Sequence, residues 1–451
     1  MKRNGYQLLL LVIAAMLVLA GCSGSAGTNG TNQGSGTSST NTGETGTNTG
    51  TEPAGSSDKA VVQFWHSMGG NNGTYIDEMV AAYNSSQDKV EVVATFQGSY
   101  QEALTKVQQA VPAGTAPDIA MIERGFTPLL VEAEVLEDFT PWLESAGMSR
   151  DYFFEGFLGN TIFDDQFVAL PFNRSTPMLH VNKTMLDEMG LKVPTNWDEL
   201  AEVANALVIK ENGEIKRYGY SMGYASWYPI AMLIQQGAGF YNEEKTGVGF
   251  DDELDIAFQY MKDLQKTGGL FYPPNTDAGN IISQMFFSGQ VGMIMESTGL
   301  IGRFVGAEGV DFDYTAVFLP GKDSYGAPTG GANLVMFNES KQKEVAWDFL
   351  NWIFNDEKGA IDFIIKSGYV PVSSTMAESE AMQKAFEEVP ARKNALDQME
   401  YARDTSAHAS FAELDQIFLK ALEAIMYDDA DIHTQVEKYR EEAEAIMKQY
   451  E

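Results

Sequence analysis

Apolar residues after position 59 follow two alternating patterns, one typical of strands and one typical of helices. Residues 60–65 form a short apolar run interrupted by Gln63, and Val90–Phe96 is rich in β-branched side chains, as buried strands are. Between them, apolar side chains over residues 76–83 recur at three- and four-residue intervals, which places them on one face of a helix. The alternation continues with a helical pattern at 101–111 and a short strand at Asp118–Ile122. Strands that alternate with helices predict an α/β fold whose sheet is parallel, with crossover helices.

The rest of the chain adds two strands and many helices. Phe167–Leu170 and Met178–Val181 are strand candidates. Thr195 followed by Asp198 forms a capping box, which predicts a helix over Trp197–Val208. Helical spacing also covers the ranges 251–266, 277–287, 340–354, 356–366, 411–426 and 432–450. The C-terminal half is therefore expected to be rich in helices.

The N-terminus has the pattern of an export signal. Residues 8–20 are apolar throughout, which is too short for a membrane span but typical of a signal peptide. The run ends in Leu19-Ala20-Gly21-Cys22, which resembles the lipobox of bacterial lipoproteins. That resemblance implies a signal peptide over 1–21 and diacylglycerol on Cys22, which would anchor the protein at the extracytoplasmic face of the cell membrane. A plain secretory signal with a chance cysteine is the alternative.

The segment that follows predicts a tether. Residues 22–58 consist largely of Gly, Ser, Thr and Asn, and they contain no aromatic or large aliphatic residue. Such a composition cannot offset its ordering entropy by burial, so we expect a flexible, lipid-anchored linker.

Charge and cysteine content exclude several classes of function. The 451 residues include 63 acidic and 30 basic residues, for a formal net charge of −33. This balance argues against nucleic acid as a partner, because phosphate contacts need clustered Lys and Arg. A single cysteine excludes a disulfide framework and Cys-rich metal sites. We expect a monomer with no metal and no cofactor.

One short motif suggests a catalytic alternative. Gly219-Tyr220-Ser221-Met222-Gly223 matches the G-x-S-x-G nucleophile elbow of serine hydrolases. Only His408 and His433 lie downstream to complete a triad. A structural turn explains the match more simply, so a lipid-anchored hydrolase that uses Ser221 is kept as the alternative and the protein is predicted not to be an enzyme.

Aromatic and polar residues gather where predicted strands end. Trp65 and His66 end the first strand, Tyr100 follows the second, Glu123 ends the third, and Tyr369 lies in another chain break. Ligands of open α/β sheets bind at the carboxyl ends of strands. Aromatic rings suit the C–H faces of a sugar or polyol, although core packing is the ordinary explanation for each ring taken singly.

Several motifs resemble those of one family. They are Phe64-Trp65-His66-Ser67-Met68, Leu170-Pro171-Phe172-Asn173-Arg174-Ser175-Thr176-Pro177, Asn182-Lys183, Met189-Gly190-Leu191, Pro194-Thr195-Asn196-Trp197-Asp198-Glu199-Leu200, Gly330-Gly331-Ala332-Asn333 and Ser367-Gly368-Tyr369-Val370-Pro371. Together they resemble the family 1 extracellular solute-binding proteins of ABC importers, and within that family the glycerol-3-phosphate-binding and sugar-binding subgroup.

This resemblance implies a two-lobed periplasmic-binding-protein-like fold with a hinge between the lobes. The N-terminal lobe would comprise 60–172 plus 291–339, and the C-terminal lobe 173–290 plus 340–451. The implied function is to capture a carbohydrate-type solute by hinge closure and to deliver it to an ABC permease in the membrane.

The resemblance also implies ligand contacts. The matching positions are Tyr100, Glu123, Ser175, Tyr224, Trp227, Ser297, Gly331 and Tyr369. The subgroup's phosphate-binding arginine aligns with His408, and Arg403 lies nearby. Because a neutral histidine binds phosphate less well than arginine does, the ligand stays open between glycerol-3-phosphate, a glycerophosphodiester and a neutral mono- or oligosaccharide.

Overall fold

The computed structural model describes residues 59–403 and 408–450. The predicted signal peptide, the lipidated Cys22 and the linker lie outside the described residues. Within those residues, no helix combines the length and the apolar composition that a membrane span requires.

Two sheets organise the described chain. In spatial order, the first contains Val90–Phe96, Ala60–His66, Ile119–Glu123, Ala332–Met336 and Leu170–Pro171. The second contains Leu270–Phe271, Glu214–Met222, Val291–Ser297, Pro177–Asn182 and Tyr314–Val317, with Ile209–Glu211 beside Glu214–Met222. Two small ribbons pair Ala327–Pro328 with Ala402–Arg403 and Ile162–Phe163 with Gln166–Phe167. This mixed α/β architecture confirms the predicted fold class.

Helices cover both sheets. They are Gly70–Ser86, Tyr100–Ala110, Thr127–Glu132, Thr140–Ser145, Lys183–Glu188, Trp197–Ala206, Trp227–Gln235, Glu253–Thr267, Ala278–Phe287, Gly299–Val305, Lys343–Asn355, Asp362–Ser367, Ser374–Ala377, Glu380–Glu388, Pro390–Gln398, Phe411–Met426 and Ile432–Met447. Single 3₁₀ turns occur at Arg124–Phe126, Arg150–Tyr152, Glu155–Phe157 and Met399–Tyr401, and a π turn at Glu357–Ile361. The predicted helical ranges are helical with ends that differ by a few residues, except that 356–366 is divided into the π turn Glu357–Ile361, which contains the non-helical Gly359, and the helix Asp362–Ser367.

The strands are parallel only in part. In the first sheet, Ala60–His66 runs parallel to both Val90–Phe96 and Ile119–Glu123, as the strand–helix alternation predicts. Ala332–Met336 and Leu170–Pro171 are antiparallel additions at the other edge. Ala332–Met336 enters the first sheet from the second lobe and not through a crossover helix. The strand–helix alternation therefore does not predict its direction.

Two N-terminal caps illustrate how sequence sets the helix starts. The Oγ of Ser99 accepts a hydrogen bond from the Glu102 N–H at 3.3 Å, and Glu102 accepts one from the Ser99 N–H at 2.7 Å. The box predicted at Thr195 is wrong by one position, because the side chain of Asn196 caps the helix by accepting from the Glu199 N–H at 2.9 Å.

The expected division into lobes differs from the observed strand pairing. Val291–Ser297 and Tyr314–Val317 both pair with Pro177–Asn182 and therefore belong to the second sheet, although 291–339 was assigned to the first lobe. Conversely, the helix Lys343–Asn355 packs on the first sheet, where the rings of Phe349 and Phe64 lie 6.0 Å apart. Backbone pairing and side-chain packing decide which lobe each element belongs to. The local pattern of apolar residues in the sequence shows neither of them.

Candidate functional site

A cavity of about 570 Å³ lies between the two lobes. Residues from both sheets line it, including the ends of the strands Ile119–Glu123 and Val291–Ser297 and the start of the helix Trp227–Gln235. Eight of the twelve predicted ligand contacts are among its lining residues: Tyr100, Glu123, Ser175, Tyr224, Trp227, Ser297, Gly331 and Tyr369.

On the first-lobe wall, the capping box of Ser99 fixes Tyr100 in the first turn of its helix. The Nδ2 of Asn173 donates a 2.9 Å hydrogen bond to the Tyr100 hydroxyl. Burial raises the pKa of Tyr100 well above its ordinary value, so the phenol stays protonated. Its hydroxyl can therefore donate to a bound solute.

Glu123 supplies the carboxylate of the same wall. Its Oε2 accepts a 2.7 Å hydrogen bond from the Gly125 N–H, and its Oε1 lies 3.8 Å from the Nε of Arg124. Burial raises the pKa of Glu123 to about 7, against the lowering effects of Arg124 and the Gly125 N–H. Near neutral pH this carboxyl exists in both protonation states, and its ionised form accepts strong hydrogen bonds from hydroxyl groups.

Aromatic rings form the second-lobe wall. The Nε1 of Trp227 donates to the Thr329 carbonyl at 3.0 Å, and the Tyr224 hydroxyl donates to the Leu419 carbonyl at 3.0 Å. Because the polar atoms of both rings are already occupied, these residues offer their partly exposed ring faces to the cavity. Such faces suit the C–H surface of a polyol.

The floor of the cavity is made by two segments that cross between the lobes. Ser175 and Gly330 exchange backbone hydrogen bonds of 3.2 and 2.7 Å. A Cβ on Gly330 would lie 2.6 Å from the Trp227 ring, and a Cβ on Gly331, where φ is +91°, would lie 1.9 Å from the Asn173 carbonyl. The paired glycines of the sequence motif therefore let the crossing segments and the Trp227 ring pack closely.

Ser297 and Tyr369 also line the cavity. Ser297 ends a strand of the second sheet, and its backbone N–H donates to the buried Glu296 carboxyl at 2.8 Å. The ring of Tyr369 stacks on Phe363 with centroids 5.9 Å apart. Burial also raises the pKa of Tyr369, which keeps its hydroxyl a donor.

Two of the predicted contacts do not line this cavity. His66 is only 3% exposed, and its Nδ1 accepts from the Met68 N–H at 3.3 Å. Burial lowers the pKa of His66, as expected for a neutral imidazole in a core. Trp65 is partly buried and packs against the hydrophobic core. Trp65 and His66 were predicted as ligand contacts because they end a strand. That position does not determine whether a side chain points into the cavity or into the core.

The two candidate phosphate ligands also lie elsewhere. The Nη1 of Arg403 donates to the Ala402 carbonyl at 2.9 Å, and the side chain borders two other surface grooves. The Nδ1 of His408 lies 2.7 Å from the Ser410 hydroxyl, and its ring packs near Tyr241 and Tyr450.

The cavity also contains residues that the sequence did not indicate. They are Ser99, Gln101, Arg124, Phe126, Ala225, Ser226, Ile230, Gly330, Phe411 and Asp415. Phe411 and Asp415 lie four residues apart on the helix Phe411–Met426, and this spacing had suggested only a buried helix face. Arg124 could have been noticed as the neighbour of Glu123.

Asp415 is the second carboxyl of the cavity. The hydroxyl of Ser226, just before the helix Trp227–Gln235, donates to its Oδ1. Burial raises the pKa of Asp415, and the Ser226 hydroxyl opposes that rise. Among the described lining residues, the charged groups are therefore Glu123, Asp415 and a single cation, Arg124.

Ser221 occupies a position unlike that of an exposed nucleophile. It lies fully buried within the strand Glu214–Met222, and its hydroxyl donates to the Phe271 carbonyl of the neighbouring strand at 2.7 Å. A nucleophile elbow instead places its serine on a sharp turn between a strand and a helix. The G-x-S-x-G match is thus part of a sheet.

Sequence comparison finds a family match and curated relatives. The sequence model of the family described as bacterial extracellular solute-binding protein matches residues 78–394. The sn-glycerol-3-phosphate-binding periplasmic protein UgpB of Agrobacterium fabrum is 26% identical over 414 residues, which cover 86% of this chain and 92% of the relative. UgpB of Escherichia coli is 24% identical over 367 residues, covering 75% and 80%.

Comparison with solved structures finds the same fold. UgpB from Mycobacterium tuberculosis in complex with glycerophosphocholine matches with a TM-score of 0.77 and 19% identity, covering 87% of this chain and 99% of that one. The ABC substrate-binding protein Lmo0181 from Listeria monocytogenes in complex with cycloalternan matches with a TM-score of 0.77 and 18% identity, covering 86% and 99%. These matches support the two-lobed architecture.

Proposed function

This chain belongs to the bacterial extracellular solute-binding proteins, and from that premise we propose that it is the receptor of an ABC importer. In this function it captures a hydroxyl-rich, carbohydrate-type solute in the cavity between its lobes and delivers it to a permease in the membrane. The observation that carries the proposal is the cavity itself, in which a carboxyl on one lobe faces aromatic rings on the other.

The arrangement of the walls suits capture by hinge closure. Tyr100 and Glu123 are attached to the first sheet, whereas Trp227 and Ser297 are attached to the second. The crossing segments beneath them are tied together by backbone hydrogen bonds. Rotation about such a tied floor brings opposite walls together without unfolding either core, which is the usual hinge motion.

The chemistry of the walls indicates the kind of solute. Ring faces provide apolar contact for C–H groups, and the protonated phenols of Tyr100 and Tyr369 donate hydrogen bonds. Glu123 accepts hydrogen bonds from hydroxyl groups. A sugar or a polyol satisfies all three kinds of contact at once.

A glycerol phosphate is the second candidate, and two observations favour it. The curated relatives are sn-glycerol-3-phosphate-binding proteins, and Arg124 is among the residues that line the cavity. Against it, the guanidinium lies beside the Glu123 carboxyl, and neither Arg403 nor His408 lines the cavity. A neutral solute needs no cation in the cavity, so these observations do not count against it.

We further propose that the protein works as a monomer on the outer face of the cell membrane, held there by lipid on Cys22. The sequence Leu19-Ala20-Gly21-Cys22 and the linker that follows support this location. We propose binding without catalysis, because the serine of the hydrolase-like motif is buried in a sheet and engaged by a backbone carbonyl.

Calorimetry on the full chain in detergent tests the function. The solutes are maltose, maltotriose, glycerol, glycerol-3-phosphate and glycerophosphocholine. We expect at least one to bind, and we expect Trp227→Ala to weaken that binding at least tenfold, because a ring buried against a ligand contributes more than 1.4 kcal/mol. Tyr325→Ala is the matched control, since Tyr325 is 44% exposed and does not line the cavity. Failure of every solute to bind, or equal loss in both variants, would refute the proposal.

A further inference from the structure

Two carboxyl groups line the cavity from different lobes. Glu123 ends the strand Ile119–Glu123 of the first sheet. Asp415 lies on the helix Phe411–Met426, whose Phe418 ring packs 6.2 Å from Phe240 in the core of the second lobe. Each carboxyl is therefore carried by a different rigid body.

The two walls touch in this structure. The rings of Phe126 and Phe411 lie 6.4 Å apart, and a Cβ on Gly125 would lie 2.4 Å from the Phe411 ring. Asp415 is one helical turn beyond Phe411 on the same helix. The carboxyls are close enough for the charge of Asp415 to raise the pKa of Glu123. Closing the lobes thus brings two like charges toward each other.

The surrounding groups compensate these charges unequally. Glu123 has the Gly125 N–H and the guanidinium of Arg124 beside it, and the buried Arg174 acts on it at longer range. The hydrogen-bond donor to Asp415 is the neutral Ser226 hydroxyl. The phenols of Tyr224 and Tyr439 are the other titratable groups on which the charge of Asp415 acts.

We propose that Asp415 is a specificity-determining residue that opposes lobe closure on an anion or on an empty cleft. An ionised carboxylate only accepts hydrogen bonds, so it needs a ligand that brings hydroxyl hydrogens or a positive charge. A phosphomonoester brings further acceptors and two negative charges, which adds to the repulsion between the walls. Uncharged polyhydroxy solutes are therefore selected. This inference rests on the proposed capture function.

Burial raises the pKa of both carboxyls, so the comparison is made at pH 8 to favour their ionised forms. Binding of maltotriose and of glycerol-3-phosphate to the full chain is measured by calorimetry for the wild type, Asp415→Asn and Glu441→Gln. The asparagine keeps the shape of the side chain, and it turns one acceptor into a donor. Glu441→Gln removes the same charge from an exposed position on the helix Ile432–Met447.

We expect Asp415→Asn to shift the ratio of the two affinities toward glycerol-3-phosphate by about tenfold, as expected for one charge contact in a partly buried site. The control should leave the ratio unchanged. A ratio that does not move in Asp415→Asn, or that moves equally in Glu441→Gln, overturns the inference.

A second measurement does not depend on finding the ligand. Small-angle X-ray scattering of the ligand-free protein at pH 8 reports how far the lobes are closed. We expect a smaller radius of gyration for Asp415→Asn than for the wild type and for Glu441→Gln, and equal radii overturn the inference. If no solute binds the wild type, the capture function fails, while the scattering comparison still decides on Asp415.

Discussion

The side-chain amide of Asn173 donates a 2.9 Å hydrogen bond to the hydroxyl of Tyr100, and so connects a crossing segment to the wall of the cavity. The same amide accepts a 3.0 Å hydrogen bond from the backbone N–H of Ala332 in the neighbouring crossing. One fully buried side chain therefore ties both crossings to a phenol that lines the cavity. This arrangement makes Asn173 sensitive to substitution in stability and in binding alike.

Asn173→Leu should lower the free energy of unfolding by about 2–4 kcal/mol, because two buried hydrogen bonds are lost and two partners stay unpaired. Chemical denaturation of the full chain measures this change. Asn355→Leu is the control, since Asn355 is exposed and bonds only within its own helix. We also expect the folded Asn173→Leu protein to bind solute more weakly, because Tyr100 loses its support. Equal stability of the two variants would contradict this account of the hinge.

Alanine substitutions at Gly331 and Gly114 separate the cost of backbone strain from the cost of steric overlap. Both have positive φ, +91° and +66°, but a Cβ would lie 1.9 Å from the Asn173 carbonyl at Gly331 and would meet nothing within 4 Å at Gly114. Gly114→Ala should cost about 1 kcal/mol for the left-handed backbone alone. Gly331→Ala should cost more than about 3 kcal/mol or prevent folding, because the crossing segments must separate. Thermal denaturation compares the two, and similar midpoints would show that the crossings tolerate separation.

The elements of this fold that the sequence predicted were identified from helix and strand periods, which are local properties. The helix Gly70–Ser86 buries Ile76, Met79, Val80 and Tyr83, the face that its spacing indicates. Membership of a lobe was not predictable in the same way. Val291–Ser297 belongs to the second sheet because it pairs with Pro177–Asn182, and no local pattern in the sequence indicates that pairing.

The residues that line the cavity also differ in whether the sequence predicts them. Tyr100 follows a strand and Glu123 ends one, and both line the cavity, so the position near a strand end and the match to a family position both identify them. His66 satisfies the same rule, yet it points into the core beside Phe64 and Phe96. Asp415 has no local signal at all, since it reaches the cavity only through the packing of its helix.

His180 should make stability depend on pH. It is fully buried, its Nδ1 lies 2.7 Å from the Tyr314 hydroxyl, and burial lowers its pKa from 6.5 to about 4. Below pH 6.5 the unfolded chain binds a proton that the folded chain refuses, so the free energy of unfolding falls as the pH drops toward 4, by at most about 1.4 kcal/mol per pH unit. Urea titrations at pH 7.5, 6, 5 and 4 measure this slope.

Comparison of two histidine variants separates the contribution of His180 to the pH dependence of stability from that of the carboxyl groups. His180→Gln should reduce the slope between pH 6.5 and 4, because glutamine does not titrate there. His433→Gln is the matched control, since the side chain of His433 is 74% exposed. If His433→Gln reduces the slope of the free energy of unfolding against pH as much as His180→Gln does, His180 is not a buried neutral imidazole.

Cys22 offers a test of the proposed anchor that is independent of the ligand. Two acyl chains on one cysteine give stable membrane attachment, whereas a single chain does not. We expect cells that express the full chain to keep it in the membrane fraction and to incorporate labelled palmitate. Cys22→Ala should abolish the label, because alanine has no thiol to accept the diacylglycerol. Retention of label in the variant would exclude this anchor, because Cys22 is the only cysteine of the chain.

The pH dependence of binding should report the ionisation of Glu123. Its pKa is raised to about 7 by burial, so only about a tenth of the sites hold an ionised carboxylate at pH 6, against about nine tenths at pH 8. If the ionised form accepts the solute's hydroxyl groups, the apparent Kd scales inversely with that fraction and falls nearly tenfold over this range. Calorimetry at the two pH values should also show release of a proton on binding at pH 6. Glu123→Gln should flatten the dependence, and Glu441→Gln should retain it. Affinity that instead rises toward pH 6 would mean that the protonated carboxyl is the form that binds, with Glu123 acting as a donor.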